Sequence, residues 1–162
     1  MLCEHIMKTT EVRLEDLSNV RCRYFMAEIP GLEHLPTLIV EFSGECGFGS
    51  GSNADACYMN GMIAAGFKAW DPSCFILDLR RLKYEWGDMM TAIFAPPHEL
   101  ISMNDEEVEF PFAAIVSDLN RDGLTSLVKE EMRGNPEALL FETFDDAQER
   151  VTAIAKQTYH IA

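Results

Sequence analysis

The chain has 162 residues, of which 13 are Lys or Arg and 27 are Asp or Glu, for a formal net charge of −14. Folding at that length buries roughly 70% of the extended-chain surface, which fits one α/β domain over residues 1–162 that needs neither disulfides nor a metal. Such a field repels phosphate backbones and anionic lipid, so it argues against nucleic-acid and membrane binding and favours a basic protein partner.

Residues 20–28 alternate, with Val20, Cys22, Tyr24 and Met26 set against Arg21, Arg23, Phe25 and Ala27, which predicts a strand with one better-buried face. A proline-bounded loop at 30–36 then leads to the apolar run 37-TLIVEF-42, so the two N-terminal strands are expected to pair antiparallel. Three more apolar runs, 74-CFILDL-79, 112-FAAIVS-117 and 138-ALLFE-142, each precede a helix-like segment. Parallel strands need such crossovers. The fold class expected is α/β, a mixed and mainly parallel sheet of about five strands with helices on both faces.

The first helix is expected after residue 52, with Met59, Met62, Ile63, Phe67 and Trp70 on its buried face, a capping-box start at Ser52 and Asp55, and a stop at Asp71-Pro72. A short helix at 87–95 presents Met89, Met90, Ile93 and Phe94 and ends at Pro96-Pro97, before an irregular stretch at 96–111. A third has Leu124, Leu127, Val128 and Met132 on one side and closes at Gly134-Asn135-Pro136. The last is capped by Thr143 and Asp146 and turns Ala147, Val151, Ile154 and Ala155 inward.

Recognised chemistry is sparse. The cysteines Cys3, Cys22, Cys46, Cys57 and Cys74 are odd in number and never spaced as CxxC, so buried reduced thiols are expected rather than disulfides or zinc ligands. His5, His34, His98 and His160 are isolated from one another. No GxSxG is present, and no metal or cofactor is implied. The N-terminus lacks the basic and apolar regions of a secretory leader, so a cytoplasmic location is expected.

Two segments stand out as candidate sites. The glycine-rich loop 44–53, with Gly47, Gly49, Gly51 and Ser52, lies between a strand and a helix where backbone N–H groups can cradle a phosphate, although it matches neither GxxxxGK[ST] nor GxGxxG. Asp78 on the next strand fits a ribose-binding acid or a simple turn, and Cys46 becomes a reactive thiol only if the helix end lowers its pKa. The second segment holds Tyr84, Glu85, Trp86 and Asp88 beyond a strand end, where open α/β sheets place their sites. There Trp86 would anchor a partner, assisted by the acidic cluster Asp105, Glu106, Glu107 and Glu109.

The order of elements resembles the STAS domain, the family of bacterial anti-sigma-factor antagonists and transporter tails. Residues 38-LIVEFSGE-45 resemble its second strand, 76-ILDLRRL-82 the strand before its regulatory loop, and 139-LLFETFDDAQERV-151 its closing strand and helix. The resemblance implies a STAS-like topology and a tendency to bind proteins. It does not carry over the phosphoserine switch, because the loop reads Tyr84-Glu85-Trp86-Gly87-Asp88 with no serine.

The function expected is a non-catalytic, acidic interaction module, such as a STAS-like regulator or an immunity protein docking a basic partner, with a homodimer left open. The alternative is a small nucleotide- or phosphate-binding enzyme or sensor built on loop 44–53.

Overall fold

In a computed structural model, residues 7–94 and 109–162 are described. Five strands, β1 (Arg21–Ala27), β2 (Thr37–Glu45), β3 (Cys74–Lys83), β4 (Phe112–Ile115) and β5 (Leu140–Phe141), form one sheet in that order. β1 pairs antiparallel with β2, and every other pair is parallel, so the sheet is mixed and mainly parallel.

Among the described residues, four helices flank the sheet: α1 (Asn53–Trp70), α2 (Arg121–Ser126, continued by a π-helical turn over Leu127–Glu131), the single turn α3 (Pro136–Leu139) and α4 (Phe144–Thr158). A 3-10 helix, Asp88–Phe94, stands where the short helix was expected. One core joins Leu38, Val40, Phe42, Phe75, Leu77, Leu79 and Ala114 of the sheet to α1, the 3-10 helix and α2. Aromatic rings run through it, from Phe67 to Phe75 at 4.9 Å and from Phe75, stacked, to Phe112 at 5.2 Å. A second, smaller core sets Ile76, Ala113 and Ile115 against Ala147, Val151 and Ala155 of α4, with Ile29 and Leu32 of the β1–β2 loop. Both faces are therefore covered, which is why β3 and β4 are near-continuous apolar runs. Each fully buried apolar side chain contributes about 1.5–3 kcal/mol.

β3 runs past the apolar segment 74–79, through Arg80-Arg81 to Lys83. The parallel pairing steps from Glu41 with Asp78 to Ser43 with Arg81, so β3 carries an extra residue there. This bulge resets the inside-outside alternation: Leu79 and Leu82 both point into the core while Arg80 and Arg81 both escape it. Without it, Leu82 would face solvent.

Several local expectations are corrected. Trp70 is 43% exposed and lies against the Tyr24 ring at 4.9 Å instead of entering the core. Ser52 does not cap α1, because its Oγ donates to the Gly49 carbonyl at 2.7 Å. Met89 is exposed, whereas Met90, Ile93 and Phe94 are buried. Cys57 is exposed, Cys74 is buried, and Cys22 and Cys46 are half-buried. The expected cap of α4 is present, Thr143 Oγ1 accepting from the Asp146 N–H at 3.1 Å.

Candidate functional site

The loops beyond the C-terminal ends of β2, β3 and β4 are sewn into one surface. The Cys46 N–H donates to the Lys83 carbonyl at 2.9 Å, and the Gly49 N–H to the Trp86 carbonyl at 3.0 Å. The Tyr84 N–H reaches the Leu119 carbonyl at 3.1 Å, and the Tyr84 hydroxyl donates to the Gly87 carbonyl at 3.0 Å. Buried Asn120 closes the third loop. Its Nδ2 donates to the Leu79 carbonyl at 2.5 Å and the Leu82 carbonyl at 2.8 Å, while its Oδ1 accepts from the Ser117 N–H at 3.1 Å. Asp55 ties in the N-terminal segment, accepting from the Gly47 N–H at 2.8 Å and the Ser18 hydroxyl at 2.6 Å.

Two glycines make the close approach feasible. Gly49 has φ +57°, and a Cβ there would lie 2.8 Å from Trp86 Cζ3. A Cβ on Gly87 would collide with Ser52 Oγ. On this scaffold Phe48 is 68% and Trp86 52% exposed, with ring centroids 5.7 Å apart. Met89 and Leu119 are also exposed at this end of the sheet. Exposed carboxylates of Glu85, Asp88, Asp118 and Asp122 accompany them. Lys83 leans to Glu45 at 2.8 Å, and Arg121 to Asp118 at 2.8 Å and Glu142 at 3.1 Å.

The residues singled out from sequence divide. Glu85, Trp86 and Asp88 lie together on this surface. Tyr84 does not present itself to a partner: it is 2% exposed, and burial pushes its phenol up to about 12, so it acts as a neutral strut for the loop. Glu109 precedes β4, at the opposite end of the sheet from the loop that follows parallel β3, and pairs with Arg150 at 2.7 Å. Asp105, Glu106 and Glu107 lie outside the described residues, as do His5, His98 and Cys3. Phe48 was missed, although an aromatic residue between two glycines of a tight loop has few ways to be buried.

Three backbone donors of loop 44–53 are already taken by the protein itself. The N–H groups of Gly47 and Gly49 go to Asp55 and Trp86, and that of Gly51 goes to the Phe48 carbonyl at 3.0 Å. Those donors are spent, so the loop is not a ready phosphate cradle. Cys46 is no activated thiol, since burial, aided by the Asp55 charge, raises it to about 12. Asp78 is bound to Arg80, at 3.0 Å from Nε and 2.9 Å from Nη2, and is buried mid-strand instead of facing a ribose. Among the described residues no group of three or more His, Cys, Asp or Glu side chains is placed to hold a metal, and no helix is long and apolar enough to cross a membrane.

No protein-family model matches the chain, and no curated protein matches it. Among solved structures it is similar to an anti-sigma factor antagonist from Mycobacterium paratuberculosis, with a TM-score of 0.51 and 19% identity, over 82% of this chain and 95% of that one. The fold is STAS-like. The loop after β3, Tyr84–Asp88, carries no serine. It holds an exposed indole and two carboxylates.

Proposed function

We propose that this protein is a non-catalytic regulatory module that docks a basic protein partner on the loops beyond the C-terminal edge of its parallel strands. The observation that carries the reading is the exposed Phe48–Trp86 pair, held by backbone hydrogen bonds between two loops and accompanied by Glu85, Asp88, Asp118 and Asp122. Interfaces concentrate affinity in aromatic anchors on rigid supports, and a surrounding charge selects the partner and speeds its arrival. The fold shared with an anti-sigma factor antagonist supports a protein-binding role. An immunity protein facing a cationic toxin is a narrower form of the same proposal, and a cytoplasmic setting suits both.

Affinity capture from the native host with wild-type, Trp86→Ala and Phe48→Ala baits tests this. The expected result is a basic protein retained by the wild type at low salt and lost from both variants. Retention by all three baits alike would remove the aromatic pair from the interface.

A further inference from the structure

The strongest departure from the chain's acidity lies at the start of β1. Four of its eight arginines, Arg21, Arg23, Arg80 and Arg81, lie on β1 and β3. Three of these, Arg21, Arg23 and Arg81, line a cleft of about 650 Å³ together with Ser18, Asn19, Cys22, Ser43 and Tyr58. Glu15 is the one carboxylate among the lining residues, so the cleft is locally cationic. Its size falls within the range of small-molecule sites, and the strand register sets Arg21, Ser43 and Arg81 side by side across β1, β2 and β3.

Three details make this a formed site. Tyr58 is 4% exposed, yet its hydroxyl has no hydrogen-bond partner among the described residues and it lines the cleft. That hydroxyl is not one of the enclosed polar atoms lacking a partner, so it is reached from the cleft and is free to donate to an acceptor there. Arg23 is held in place by Glu41, which takes its Nε at 3.0 Å and Nη2 at 2.8 Å and leaves Nη1 uncommitted among the described residues. Arg81 stands 3.8 Å from the same carboxylate, and Arg21 makes no ion pair among the described residues. Guanidinium forks combined with hydroxyl donors match the oxygens of a phosphate group, and the cationic lining works at short range, where screening leaves the rest of the acidic surface little influence.

We propose that this cleft binds a small phosphate-bearing molecule, gripped by Arg21, Arg23 and Arg81 and by the hydroxyls of Tyr58 and Ser43. It is separate from the Phe48–Trp86 surface and does not depend on the docking role proposed for it.

The test is an amide-resolved NMR titration of the full chain with inorganic phosphate, glycerol 3-phosphate and citrate at matched ionic strength. Saturable shifts are expected at residues 18–23, Ser43, Tyr58 and Arg81 with a phosphate probe. Saturation by inorganic phosphate assigns the free anion, and saturation by glycerol 3-phosphate alone assigns an ester. Arg21→Gln and Arg81→Gln should each weaken binding about tenfold, a loss of one guanidinium's charge-assisted bonds. Tyr58→Phe should weaken it several-fold while amide signals elsewhere stay in place, which separates a ligand contact from a folding role. No saturable shift with either phosphate, equal response to citrate, or unchanged affinity in the arginine variants would each overturn the proposal.

Discussion

The Gly49 N–H donates to the Trp86 carbonyl at 3.0 Å, and the Trp86 ring occupies the space in which a Gly49 side chain would stand. The residue that presents the indole is thus the one that fixes the loop carrying Phe48. Gly49→Ala must bear a left-handed backbone and a 2.8 Å clash with the ring. It should lower unfolding free energy by about 1–2 kcal/mol and change the Trp86 emission. Denaturant unfolding followed by fluorescence measures both, and an unchanged midpoint would show that the loop relaxes freely.

Asn120 is the rivet between the end of β3 and the loop after β4. Asn120→Ala leaves the Leu79 and Leu82 carbonyls and the Ser117 N–H short of partners, a loss of about 2–3 kcal/mol. Amide exchange should accelerate at Ser117 and through the Tyr84–Asp88 loop before it does in α4.

Alkaline pH should destabilise the fold. Burial raises the Cys22 and Cys74 thiols to about 11 and Cys46 to about 12, against an ordinary value of 9.0. The folded state therefore holds protons that the unfolded chain has released, so this stability is complete below about pH 9 and declines as pH climbs from there toward 12. Equilibrium unfolding across that window should show the decline, and Cys46→Ala should flatten part of it. At neutral pH, exposed Cys57 should react with a thiol reagent well before Cys74.

The Asp78–Arg80 pair supports the α4 face, with the Arg80 guanidinium 4.6 Å from the centre of the Phe144 ring. Asp78→Asn keeps the shape but removes the buried countercharge. The expected cost is about 2 kcal/mol, less than for a fully enclosed pair because Arg80 reaches solvent. Denaturant midpoints of Asp78→Asn, Phe144→Leu and the double variant would read the coupling between the ion pair and the Phe144 ring.

The strand ladder was legible because parallel strands buried on both faces are near-continuously apolar, as 74–79 is apart from Asp78 and 112–117 apart from Ser117. The extension of β3 to Lys83 was hidden, since a bulge breaks the alternation that marks a strand and makes Arg80-Arg81 read as an end. Trp70 fits the helical stripe of α1, but it falls at the last residue of the helix, where the neighbouring Tyr24 covers only part of the ring. On the site, sequence proximity placed Glu85, Trp86 and Asp88 correctly beside one another. It could not place Tyr84, whose burial depends on a hydrogen bond to Gly87, or Glu109, which topology carries to the far edge of the sheet. Phe48 joins Trp86 through a loop-to-loop bond between residues 37 positions apart, which no local pattern encodes.

The most direct test of the docking surface is the rate at which the protein associates with its captured partner, measured over a range of ionic strength. A carboxylate-steered approach should slow by about tenfold or more between low and physiological salt, and Glu85→Lys with Asp88→Lys should remove most of that dependence. Trp86→Ala should instead hasten dissociation. An association rate indifferent to salt, together with a dissociation rate indifferent to Trp86, would contradict the account.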